Sequence, residues 1–181
     1  KILDQAQPRV FIGVDSEGID VPVINQETFE EYPDTEPDVD INPCRDLAFI
    51  QYTGGTTGEP KGCIFTHENF VASVYSQAIW SSPTANYVPH TERRMLCTLP
   101  LSHIFGLVTL GHAAKTITPI TVLPQFSVEA VVKLITQTEF SYWPCVPTML
   151  DVVLLHPLIT SGELHLGERI KAITVGGAPL Y

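Results

Sequence analysis

From residue 94 onward the chain alternates short apolar runs with helical periodicity across connections of only a few residues, which narrows the folds open to it. RMLCTL (94–99) reads as a strand, and His103 to Ala114 as a helix that is apolar nearly all round. PITVLP (119–124) is the next strand. Ser127 then stands where it can cap a helix whose Val128, Val131, Val132 and Ile135 follow the i, i+3, i+4, i+7 pattern. FSYWP (140–144) is a further strand. Pro147 opens a helix, and Val146, Met149, Leu150, Val153 and Leu154 repeat the helical spacing. RIKAITV (169–175) reads as a last strand running into Gly176-Gly177-Ala178-Pro179. Such alternation builds βαβ units, so the expected fold is α/β, a mostly parallel sheet with helices packed on it. Ligands of such sheets bind beyond the carboxyl ends of the strands.

Upstream, LAFIQY (47–52) and CIFT (63–66) read as strands flanking a Gly/Thr-rich turn, and His67 to Trp80 as a helix. Val10 to Val14 and Val21 to Ile24 are short strand candidates. Asn25 to Asp46 is acidic and rich in proline, which marks a solvated surface connection. The expected division is therefore an acidic lead-in, 1–46, and an α/β core, 47–181.

Charge supports that division and excludes one class of partner. Twelve of the 20 acidic residues lie in 1–46 beside three bases, whereas 47–181 is nearly neutral. A net charge of −10 argues against nucleic-acid binding, which relies on Lys and Arg. Cys44, Cys63, Cys97 and Cys145 form no CxxC pair, so neither a disulfide framework nor a zinc site is expected. Twenty uncharged residues separate Arg94 from Lys115, but Pro100, Ser102, His103 and His112 interrupt them, and no transmembrane helix is expected.

The chemistry concentrates at Tyr52-Thr53-Gly54-Gly55-Thr56-Thr57-Gly58-Glu59-Pro60-Lys61-Gly62. Glycines let the backbone approach a ligand closely, freed N–H groups form an anion nest, and Thr hydroxyls add donors. Lys61 adds a point charge suited to a phosphate. A Walker loop is rejected on spacing, since Pro60 precedes Lys61 and Gly62 follows it.

This segment resembles the phosphate-binding loop of the adenylate-forming superfamily, which includes acyl-CoA ligases, firefly-type luciferases and peptide-synthetase adenylation domains. It departs from that pattern at Gly54, where Ser is usual, as in many fatty-acyl-CoA ligases. CIFTHENF resembles the family's following strand and helix start, with Thr66 or His67 as a structural cap. Leu99-Pro100-Leu101-Ser102-His103-Ile104-Phe105-Gly106 resembles the Pro-x-x-His-x-x-Gly segment, and Val175-Gly176-Gly177-Ala178-Pro179-Leu180 the segment that lines acid and adenine. The resemblance runs from about Asp46 to Tyr181. His90, His112, His156 and His165 match nothing in it and read as surface or core.

The resemblance implies part of the large N-terminal domain of an ATP-dependent carboxylate–CoA ligase acting on a fatty acid. An aryl- or amino-acid adenylation domain and a non-catalytic nucleotide- or acyl-binding piece are the alternatives. It implies Mg-ATP, CoA and a small carboxylate as ligands. Thr53, Gly54, Gly55, Thr56, Thr57, Gly58 and Lys61 would hold phosphates. His103 and Lys61 would serve catalysis, and His103, Phe105, Gly176, Gly177, Ala178 and Pro179 would line the acyl and adenine pocket. No metal ligand is expected within the chain. The family's downstream elements, including its C-terminal domain, are expected in a missing remainder of the same enzyme, without which the piece alone is expected to be inactive. The expected location is the cytoplasm, free or peripheral to a membrane.

Overall fold

A computed structural model describes residues 2–12, 20–24, 35, 38–53, 59–85 and 88–179. The elements are α1 (Ile2–Ala6), β1 (Phe11–Ile12), β2 (Val23–Ile24), β3 (Leu47–Thr53), β4 (Lys61–Thr66), α2 (His67–Ala85) and β5 (Met95–Cys97). There follow α3 (Ile104–Lys115), β6 (Ile120–Val122), α4 (Val128–Gln137), β7 (Trp143–Cys145), α5 (Pro147–Leu154), α6 (Pro157–Thr160), α7 (Leu166–Arg169) and β8 (Ile173–Val175). The chain divides into two compact units, 1–42 with 52–64, and 43–51 with 65–181.

In the first unit β1 and β2 pair in parallel, Phe11 opposite Val23 and Ile12 opposite Ile24. The expected strand Val10 to Val14 is seen at Phe11–Ile12, and its Gly13 and Val14 lie outside the described residues. Of the acidic connection, 25–34, 36 and 37 also lie outside them, and 38–46 are exposed.

The second unit holds the core. β5 pairs with β6 and β7 with β8, both in parallel. A parallel bridge between Met95 and Tyr142 joins the two pairs, with Leu96 N–H donating to Tyr142 O at 3.0 Å. The order is thus β6-β5-β7-β8. After β6 the chain crosses back over β5, so the winding reverses between β5 and β7. A doubly wound sheet opens its ligand crevice at such a point.

Side chains alternate across the sheet and sort the helices by face. Met95 and Tyr142 pack with Ala113 of α3 on one side. Leu96 and Trp143 pack with Val131, Val132 and Ile135 of α4 and Val153 of α5 on the other. The fold is α/β, as the alternation indicates. Ser127 caps α4, its Oγ accepting from Ala130 N–H at 3.3 Å, and Pro147 opens α5.

One strand boundary needs correction. RIKAITV reads as a strand from 169, but 166–169 is a helical turn ending at Arg169, and β8 begins at Ile173. The backbone of Ile170 closes that turn, its N–H donating to Leu166 O at 2.8 Å. No disulfide joins the cysteines, and Cys97 and Cys145 are buried. Among the described residues no helix is long and apolar enough to cross a membrane.

Candidate functional site

The carboxyl end of β5 leads through Leu99 and Pro100 into α3. His103 is the N-cap of that helix: its backbone is extended (φ −107°, ψ 143°) and its Nδ1 accepts the Phe105 N–H at 3.2 Å. A neutral imidazole that accepts through Nδ1 carries its proton on Nε2. The cap therefore sets the tautomer, leaving an exposed ring with an N–H donor that has no partner among the described residues. Gln51, at the end of the second unit's share of β3, donates from Nε2 to Ser102 O at 2.9 Å and ties down the preceding turn.

Gly106 explains the glycine in Pro-x-x-His-x-x-Gly. A Cβ there would overlap the Pro100 carbonyl oxygen and lie 2.8 Å from its carbon. That same oxygen accepts the His103 N–H at 3.1 Å. The first turn of α3 can nestle under Pro100, and His103 can be placed, only where no side chain intervenes.

The end of β8 meets this helix start. Gly176 donates its N–H to Cys145 O at 3.1 Å, and a Cβ on it would stand 3.3 Å from Phe105 Cε1. Gly177 has φ +82°, in the left-handed region that only glycine adopts cheaply. Its Cβ position lies 3.4 Å from Val146 Cγ1. Ala178 and Pro179 follow, exposed. The structure thus brings Phe105, two residues past the His103 cap, against Gly176 at the end of β8, and Gly177 against Val146 after β7, beside the winding reversal.

In the first unit Thr53 ends its strand and Lys61 begins the next, both exposed, with Thr53 Oγ1 donating to Lys61 O at 3.4 Å. Gly54, Gly55, Thr56, Thr57 and Gly58 lie outside the described residues. Thr66 is a structural cap as expected. Its Oγ1 accepts from Asn69 N–H at 3.2 Å, while Asn69 Oδ1 accepts from Thr66 N–H at 3.4 Å.

Thiol chemistry is disfavoured beside the strand ends. Burial pushes the Cys145 thiol up to about 12 and raises that of Cys97 as well. Neither supplies a thiolate nucleophile near neutral pH. Among the described residues no cluster of His, Cys, Asp and Glu is fit to hold a metal ion. Sequence reasoning missed Gln51, Ser102 and Val146. Gln51 and Ser102 are polar neighbours of motif residues, but their contact spans 51 positions and leaves no local pattern.

A family model described as "AMP-binding enzyme" matches residues 1–181. The chain belongs to the AMP-binding enzyme family. Within it, the chain is 31% identical over 145 residues to 4-coumarate–CoA ligase 2 of Nicotiana tabacum, covering 80% of this chain and 26% of that protein. It is 32% identical over 141 residues to a long-chain-fatty-acid–CoA ligase of Bacillus subtilis, covering 77% and 24%. The chain therefore spans about a quarter of the length of the curated relatives it matches. Among solved structures, the inhibitor-bound N-terminal domain of FACL13 from Mycobacterium tuberculosis aligns with a TM-score of 0.74 at 25% identity, covering 99% of this chain and 47% of that one. O-succinylbenzoate coenzyme A synthetase of Bacillus subtilis, solved with ATP and a magnesium ion, aligns at 0.75 and 26%, covering 98% and 36%. The architecture is that of the N-terminal domain of adenylate-forming enzymes.

Proposed function

We propose that this AMP-binding chain forms the nucleotide- and acid-binding part of an ATP-dependent carboxylate–CoA ligase. In the first step a carboxylate oxygen attacks the α-phosphorus of ATP, forming an acyl-adenylate and releasing pyrophosphate. In the second the thiol of CoA attacks the acyl carbon, forming a thioester and releasing AMP. Magnesium enters with ATP. The proposed place of action is the cytoplasm.

The observation that carries this reading is the capped His103, whose exposed ring stands two residues before Phe105, the side chain that meets Gly176 at the end of β8. A donor held in place by the backbone suits the charge that shifts onto α-phosphate oxygens in the transition state. Thr53 to Gly58 with Lys61 would neutralise the departing pyrophosphate. Phe105 offers an apolar wall, while Gly176, Gly177, Ala178 and Pro179 let acid and adenine approach the backbone. A fatty acid is the acid the sequence resemblance favours. An aryl acid is the second reading, supported by the 31% identity to a 4-coumarate–CoA ligase.

Acid-dependent exchange of labelled pyrophosphate into ATP by the intact protein tests the proposal. Lys61→Ala should slow that exchange and spare thioester formation from preformed acyl-adenylate. Exchange that ignores added carboxylates, or equal loss in both half-reactions, would overturn the assignment.

A further inference from the structure

Three hydrogen bonds fix the direction of the His103 ring. The Ser102–His103 peptide is a planar unit, so its carbonyl and its N–H turn together. The N–H donates to Pro100 O at 3.1 Å, and the carbonyl accepts from Gln51 Nε2 at 2.9 Å. Held on both edges, that plane sets the φ of −107° from which the His103 side chain departs. The third bond, from Phe105 N–H to His103 Nδ1 at 3.2 Å, sets the rotation of the ring.

Two of these bonds lie within residues 100–105 and come with the turn and the helix start. The bond from Gln51 spans 51 positions and attaches the turn to β3. Gln51 and the turn belong to the same compact unit. In sequence, Thr53 follows Gln51 by two residues and opens the proposed phosphate loop. The strand that leads into that loop therefore also grips the turn that carries His103.

The bond is badly placed to hold the fold together. Ser102 and His103 are exposed and Gln51 is half-buried, so water competes for both partners and the net contribution to stability is small. Orientation is affected far more. Without the amide, the peptide plane keeps only its edge on Pro100 and can tilt, and the imidazole tilts with it. A displacement of about 1 Å in a group that meets the transition state can cost about 100-fold in rate.

We infer that Gln51 is a positioning residue for adenylate formation, its amide pinning the Ser102–His103 peptide so that the imidazole is aimed at the α-phosphate. Gln51 acts through His103, and its role rests on the ligase proposal.

The test measures pyrophosphate exchange by the intact protein, its Gln51→Met and His103→Ala variants, and the double variant. Methionine keeps an unbranched chain but has no donor. Gln51→Met should lower kcat by about tenfold or more, with KM for ATP and acid within about twofold of the wild type, the pattern of a contact felt only in the transition state. Its thermal midpoint should stay close to that of the wild type. On the His103→Ala background the same substitution should cost nothing more, because residues that act as a unit are not additive. An unchanged kcat, a loss confined to KM or a further loss on the His103→Ala background overturns the inference and leaves the ligase standing. So does a collapse of the thermal midpoint in Gln51→Met, since the amide would then hold the fold and not the ring. If His103→Ala exchanges at the wild-type rate, the assignment of His103 falls and that of Gln51 with it. Wild-type exchange with no carboxylate overturns the ligase and this inference together.

Discussion

Replacing Gly106 by Ala tests the packing that positions His103. The added Cβ would meet backbone, at 2.8 Å from the Pro100 carbonyl carbon and 3.2 Å from Leu101 Cα, and neither can rotate away. Overpacking of this kind costs about 1–3 kcal/mol. Ala in place of helical Gly returns up to about 1 kcal/mol. The net expected loss is about 1–2 kcal/mol, local to the start of α3. Gly167, in α7, is the matched control: nothing lies within 4 Å of its Cβ position. There the same substitution should stabilise by up to about 1 kcal/mol. Hydrogen exchange by mass spectrometry reads both changes by peptide. Gly106→Ala should accelerate exchange in 103–115 about tenfold and leave 128–137 unchanged, since about 1.4 kcal/mol of local opening is one decade in rate. Because the Pro100 oxygen also holds the His103 N–H, acid activation should fall with it. Unchanged or slower exchange in 103–115 would refute the account of why glycine stands there.

Three further outcomes follow from burial and capping. Burial holds the His112 imidazole below its ordinary pKa, so the unfolded chain takes up a proton first as pH falls. Its contribution to stability is complete above about pH 6.5 and declines below it, and His112→Leu should flatten urea midpoints between pH 7.5 and 5. Iodoacetamide at pH 8 should label exposed Cys63 and Cys44 in the native protein and spare Cys97 and Cys145. Cys44 should react slowly, since its hydrogen bond to Glu68 and that residue's charge raise its thiol pKa; peptide mapping checks both statements. Ser127→Ala should cost about 1 kcal/mol by removing the cap on α4, measurable as faster exchange in 128–137.

What the sequence makes legible depends on how local the cause is. α4 is plain because Ser127 and four apolar residues at helical spacing act within one element. The start of β8 is misplaced because Ile170, Ala172 and Ile173 look strand-like, while a backbone bond from Ile170 to Leu166 keeps the preceding turn helical. The turn of α6, at Pro157–Thr160, is too short to show a period. Strand order depends on which backbones pair across 47 positions, as Met95 and Tyr142 do, and no sequence pattern states it. Within the site, His103 and Gly176 stand out as motif residues. The buried His112 Nδ1, with no partner among the described residues, is invisible in sequence, because it depends on how α3 packs and on a contact with Ser81 31 positions away.

The capped imidazole of His103 also restricts what can replace it. One nitrogen closes the first turn of a helix and the ring is exposed, so under the proposed function each substitution is judged twice, once by folding and once by ligand. Phenylalanine fails both requirements, and aspartate, which caps but has no proton to donate when ionised, meets only the first. Asparagine accepts through its carbonyl and donates through its amide, though on a shorter arm. Tolerance at this position should therefore be narrower than either task alone would impose.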